Sequence, residues 1–186
     1  MTLFEIILIA VGLAMDALAV SICKGLSMRS FNLKNSLIIG SYFGIFQALM
    51  PLLGYLLGTT FSELVVSIDH WIAFILLSII GLKMINDSLK NEENDKNDKL
   101  DMKTMIVLAI ATSIDALAIG ITLAFFEISI VKAISIIGFI TFTISFIGVI
   151  IGNKFGDKFQ GKAEIIGGGI LILIGLKILL EHLGIF

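Results

Sequence analysis

Residues 3–23 read LFEIILIAVGLAMDALAVSIC, with acids only at Glu5 and Asp16 and no base. A helix needs about 20 mostly apolar residues to cross a bilayer. An aspartate in the middle of such a run is expensive, roughly 2.5–3.5 kcal/mol at the centre of a membrane helix. The same Asp-Ala-Leu-Ala recurs at 115–118, inside a second apolar run, with Met15 and Val20 replaced by Ile114 and Ile119. An apolar segment that carries a costly acid, used twice, governs how the rest of the chain is read.

The remaining residues are of the same kind. Of 186 residues, 58% are hydrophobic and 15% charged, and the mean hydropathy is +1.06. A soluble domain has about 45–50% apolar and about 25% charged residues, so too few polar side chains are present to cover a water-facing surface. The length suits one domain. The lone cysteine, Cys23, excludes an internal disulfide framework and a multi-cysteine zinc site. The 18 glycines suit close contact between membrane helices. A net charge of −2 gives no electrostatic case for nucleic-acid binding. Six stretches qualify as spans: 3–23, 35–58, 70–87, 103–125, 130–152 and 163–182. The N-terminus lacks the basic region of a secretory signal, and Glu5 stands where Lys or Arg would be expected, so the first span reads as a permanent helix.

Cations fix the direction. Lys24, Arg29, Lys34, Lys83, Lys90, Lys96, Lys99, Lys103, Lys154, Lys158 and Lys162 fall in or beside the loops after spans one, three and five. Only Lys132 and Lys177 fall on the other side. Basic loops stay in the cytoplasm, which puts both termini outside it. The polar run at 90–103, KNEENDKNDKLDMK, reads as a solvated linker, though its acids would also suit a metal-sensing loop.

The two aspartate motifs belong to a longer repeat. At an offset of 94, Gly44 matches Gly138, Gly54 matches Gly148 and Gly58 matches Gly152. Gly81-Leu82-Lys83 matches Gly175-Leu176-Lys177, and Asp87 matches Glu181. The aspartate motifs stand 99 apart, so the first copy has extra residues in its first loop. The expected fold is therefore an all-α polytopic membrane protein of six transmembrane helices. It is divided into a three-helix repeat at 1–89, a cytoplasmic linker at 90–102 and a second three-helix repeat at 103–186. An odd number of spans per copy inverts the second copy in the membrane. Transporters built this way hold substrate near the midplane, where the copies meet. Asp16 and Asp115 are expected there at similar depth.

Two carboxylates neutralise a divalent ion, and oxygen ligands suit Mg²⁺, Mn²⁺ or Ca²⁺. Thr112 precedes Asp115 by three positions, one face of a continuous helix. Gln47 lies mid-span in the second helix, its counterpart is Thr141, and Ser145 follows one turn on. These neutral oxygens are candidate ligands, and each equally suits an interhelical hydrogen bond. Met15 and the Gly-x3-Gly patterns read as packing. The pairs Lys83/Asp87 and Lys177/Glu181 suit helix-end ion pairs, or gates at opposite faces. His70 and Glu164 correspond under the offset and suit polar caps or a proton relay.

Several stretches resemble the bacterial manganese efflux pump family, MntP. They are Met15-Asp16-Ala17 with Lys24-Gly25, Phe43-Gly44 leading to Pro51, and Asp69-His70-Trp71-Ile72-Ala73-Phe74. Ala111-Thr112-Ser113-Ile114-Asp115-Ala116 and Gly161-Lys162-Ala163-Glu164-Ile165-Ile166-Gly167-Gly168 belong with them. The matches span essentially the whole chain. The resemblance implies six spans in the bacterial cytoplasmic membrane and export of Mn²⁺, with Asp16 and Asp115 important. Some members carry Glu where this chain has Gln47, which adds an oxygen but no charge.

The expectation is a transporter and not an enzyme, with Mn²⁺ as substrate and no cofactor. Protons are the expected counter-ion, lipid is the surrounding partner, and a homo-oligomer is left open. The alternative substrates are another divalent cation such as Cd²⁺, or a small cationic solute. A cationic amino acid would need a partner for its own carboxylate, and no Arg lies within a span. A membrane scaffold without transport would need no matched buried acids.

Overall fold

The computed structural model describes residues 2–28, 30–58, 71, 74–75, 77–82, 85–86, 101–124, 129–156 and 163–182. Among them the regular structure is helical, with no strand. The helices are α1 (Leu3–Leu26), α2 (Leu33–Leu57), α3 (Met102–Ala111), α4 (Ile114–Leu123), α5 (Ile130–Gly156) and α6 (Ala163–His182). Three of the described helices, α1, α2 and α5, are long and apolar enough to cross a membrane, or four spans if the bent pair α3–α4 counts as one. The chain is thus a multi-pass membrane protein. The expected span 70–87 is described in part: Trp71 and residues 74–75, 77–82 and 85–86 are helical.

Polar side chains start the helices. Thr2 and Glu5 form a capping box on α1: the Thr2 N–H donates to Glu5 at 3.0 Å, and the Glu5 N–H donates to the Thr2 hydroxyl at 3.3 Å. This satisfies orphan amides and places a negative charge at the positive end of the helix dipole. Glu5 therefore marks where α1 begins. Asn32 caps α2 by accepting from the Lys34 and Asn35 amides. Asp101, at the end of the polar linker, caps α3 by accepting from Lys103 and Thr104.

The helices pack through glycine. α2 and α5 meet where Gly44 faces Gly138: a Cβ on Gly44 would lie 2.8 Å from the Gly138 carbonyl oxygen, and one on Gly138 would lie 2.9 Å from that of Gly44. α1 packs chiefly on α5, and α4 packs on α2. Contacts on the two sides pair up. Gly54 lies against Leu117 and Gly148 against Leu18. Gly58 lies against Ile121 and Ala124, and Gly152 against Ile22 and Gly25. Gly44 lies against Phe142, and Gly138 against Ala48. In each couple the second contact follows from the first by the offsets of 94 and 99 seen in the sequence. α6 packs on α1, and its Gly168 meets Gly81. The buried Asn153 amide donates to the Met28 carbonyl at 3.2 Å and ties α5 to the loop after α1.

Two expectations change. The span expected at 103–125 is not one helix. It breaks after Ala111 and bends by 45° between α3 and α4, so Thr112 and Asp115 do not share a continuous helix face. Two adjacent side-chain hydroxyls bond back at the break. Thr112 donates back to the Leu108 carbonyl at 3.0 Å, and Ser113 donates back to that of Ala109 at 2.7 Å. Such back-bonding competes with the backbone ladder and bends helices. The first copy carries Leu13 and Ala14 at these places, and α1 runs through unbroken. Met15, expected to pack inside, is 53% exposed, because it lies on the outer face of α1.

Replacing Gly44 or Gly138 with Val should cost about 1–3 kcal/mol, the usual penalty for overpacking. Thermal unfolding in detergent should show both variants melting earlier. Gly12→Ala should not, because a Cβ there meets nothing within 4 Å. A melting temperature unchanged by Gly44→Val would contradict the close contact of α2 and α5.

Candidate cation site

Asp16 lies on α1 and Asp115 in the first turn of α4. Their helices do not pack chiefly on each other. α1 docks on α5, and α4 docks on α2. Asp16 is half-buried and Asp115 is exposed. One oxygen of Asp115 accepts from the adjacent Ala116 amide at 2.8 Å. That amide would otherwise donate to the Thr112 carbonyl, four residues back. The carboxylate thus helps to hold the break open.

The turn around Asp16 and the break around Asp115 share their packing. Leu13 and Ala116 belong to one buried cluster with Ile137 of α5. Ala17 and Ala111 belong to another, with Val149 of α5 and Phe43 of α2. Asp16 therefore lies between two positions whose clusters bracket the Thr112–Ser113 break.

The neutral oxygens divide by what they bond. Gln47 is fully buried, and its amide nitrogen donates to the Leu13 carbonyl of α1 at 3.1 Å. Its oxygen Oε1 has no hydrogen-bond partner. The hydroxyls of Thr141 and Ser145 on α5 are buried and also lack partners. So does the hydroxyl of Ser21, which lies on α1 beside Gly148 of α5. Sequence reading missed Ser21, a hydroxyl one turn past the aspartate. A buried polar atom without a partner costs about 1–3 kcal/mol, so each of these oxygens is available to a polar guest. Thr112 is different: its hydroxyl is spent on the Leu108 carbonyl and is also within reach of that of Ala109.

Among the described residues, no three His, Cys, Asp or Glu side chains group as a metal cluster. Among the described side chains, Asp16 and Asp115 are the acids that lie inside apolar runs, away from the helix caps. Two grooves of about 610 and 270 Å³ open along α2. Their described lining is mostly apolar and holds neither aspartate. His70, Lys83 and Asp87 lie outside the described residues, as do the side chains of Glu164 and Glu181. Lys177 is exposed on α6.

Residues 30–179 match a family model described as "Putative manganese efflux pump". A protein of Acetivibrio thermocellus carrying the same description, with the name MntP, is 58% identical over 186 residues, covering 100% of this chain and 94% of that protein. One from Desulfitobacterium hafniense is 60% identical over 180 residues, covering 97% and 95%. One from Campylobacter jejuni is 55% identical over 184 residues, covering 98% of each. No solved structure matches the chain. With four-fifths of its length in the family model and more than half its residues shared with full-length relatives, the chain belongs to the MntP manganese efflux pump family.

Proposed function

We propose that this chain exports Mn²⁺ across the cytoplasmic membrane of a bacterium, holding the ion at Asp16 and Asp115. The observation that carries the reading is the matched pair of intramembrane aspartates on helices that flank the glycine contact of α2 and α5. A carboxylate within a span is costly unless it faces a polar path or meets a cation. A divalent ion answers both carboxylates at once. Gln47 Oε1 and the Thr141 hydroxyl are buried oxygens without partners, and they supply neutral ligands suited to Mn²⁺. The relatives named as manganese efflux pumps supply the metal and the direction.

The architecture in this reading is six spans in two inverted three-helix repeats, 1–89 and 103–186, joined by a cytoplasmic linker at 90–102. The paired contacts Gly54–Leu117 with Gly148–Leu18, and Gly58–Ile121 with Gly152–Ile22, support it. Lys24 closes α1 and Lys154 closes α5, at the ends that the basic loops assign to the cytoplasm. Both termini then lie outside. Mn²⁺ enters from the cytoplasm and binds between the halves. Rocking of one half against the other about the α2–α5 contact then exposes it outside. The empty site returns with protons on the carboxylates, because two bare anions in a span are expensive. Coupling is then Mn²⁺/H⁺ antiport.

Cells that lack their own exporter test this. The wild-type chain should lower cellular manganese and restore growth in excess Mn²⁺. Asp16→Asn and Asp115→Asn, present in the membrane at normal levels, should each cut efflux by about tenfold or more, the scale of one lost charged contact. Full rescue by both variants would sink the site. In proteoliposomes, an imposed proton gradient directed inward should accelerate Mn²⁺ exit. Efflux indifferent to that gradient and to its collapse would rule out proton coupling.

A further inference from the structure

The break between α3 and α4 has no counterpart in α1, although both spans carry the same aspartate motif. Its consequence is chemical as well as geometric. The Ala116 amide donates to Asp115, so the Thr112 carbonyl loses its helical donor, and no other described donor takes its place. We propose that the Thr112–Ser113 break is a ligand-bearing element, in which the Thr112 main-chain carbonyl coordinates the transported cation beside Asp115. This deepens the Mn²⁺ site proposed above and rests on it.

Three observations bear on which other oxygens join it. In the first copy, the Gln47 amide occupies the Leu13 carbonyl. The repeat offsets carry Gln47 to Thr141 and Leu13 to Thr112. The second copy thus holds a matching pair, the Thr141 hydroxyl and the Thr112 carbonyl, and neither is used: the hydroxyl has no partner and the carbonyl has lost its donor. Second, α2 runs beside the bent span. Tyr42 donates to the Met102 sulfur at 3.0 Å near one end, and Pro51 lies against Gly120 toward the other. Gln47 falls between those contacts on α2, as the break does between Met102 and Gly120. Third, Pro51 has no N–H, so the carbonyl four residues back, that of Gln47, also lacks its helical donor. The oxygens available are therefore the Thr112 carbonyl, the Thr141 hydroxyl, Gln47 Oε1 and the Gln47 carbonyl. Freed main-chain carbonyls at broken membrane helices are effective cation ligands because their dipoles are fixed and already desolvated.

The roles of Thr112 and Ser113 follow. Their hydroxyls point back along α3 to Leu108 and Ala109 and keep the carbonyl free. Ser113 is a positioning residue, and Thr112 acts through its main chain. A site of side-chain ligands alone would be indifferent to Ser113.

The test uses full-length protein in detergent, Mn²⁺ titrated by electron paramagnetic resonance, and hydrogen exchange read on the 108–120 segment. The double variant Thr112→Leu/Ser113→Ala installs the residues of the first copy at those positions. It should slow exchange at Asp115 and Ala116 as the helix ladder closes, and weaken Mn²⁺ binding about tenfold, which is about 1.4 kcal/mol. Ser113→Ala alone should move both readouts the same way and serves if the double variant does not reach the membrane, and Ser113→Thr should restore them. Thr141→Val should weaken binding several-fold and Thr141→Ser should not. Slower exchange with unchanged Mn²⁺ affinity would overturn the proposal, and so would exchange that the variants leave unaltered. Asp115→Asn run in parallel separates the two readings. If it binds Mn²⁺ like wild type, the site itself fails. If it loses binding while the double variant keeps it, only the carbonyl ligand fails.

Discussion

Everything in this bundle depends on the approach of two backbones at Gly44 and Gly138. Within a bilayer, apolar side chains gain nothing by leaving lipid for protein, so helices associate through close van der Waals contact and fixed dipoles. Glycine is what permits it. A Cβ at either position would come within 3 Å of the opposing carbonyl. Once α2 and α5 are held this closely, α1 docks on α5 and α4 on α2 through further glycines, at Gly54, Gly58, Gly148 and Gly152. The aspartates ride on those outer helices.

The glycine-rich framework is close to symmetric, and the chemistry is not. The first copy answers its polar atoms with a long side chain: Gln47 reaches across to the Leu13 carbonyl. The second copy has Thr141 in that place, and a short hydroxyl does not make the same bond. It also has Thr112 and Ser113 where the first has Leu13 and Ala14. Those two hydroxyls take carbonyls of α3 where the helix breaks, just before the aspartate. One aspartate thus sits on a continuous helix and the other just after a break.

Much of this was legible in the chain. The apolar runs gave the helices, and the capped starts at Thr2, Asn32 and Asp101 agree with the edges of the runs to within a few residues. The Gly-x3-Gly patterns read correctly as contacts. The break was not read, although its signal is present. Spacing puts Thr112 on one continuous face with Asp115, because periodicity says nothing about where a hydroxyl finds its acceptor. The exposure of Met15 was missed for a related reason: which face of a uniformly apolar helix turns outward is decided by its neighbours.

The sequence by itself determined that the chain is a membrane protein, where its apolar helices run and which two acids are out of place within them. Those are consequences of composition and spacing, because the cost of a charge in lipid and the length of a span are local quantities. The tertiary structure alone decided which helices touch, that α1 docks on α5 and α4 on α2, and which buried oxygens are left without donors. Those depend on backbones meeting at glycine from distant parts of the chain, and a hydrogen bond is assigned only once both of its ends have been placed.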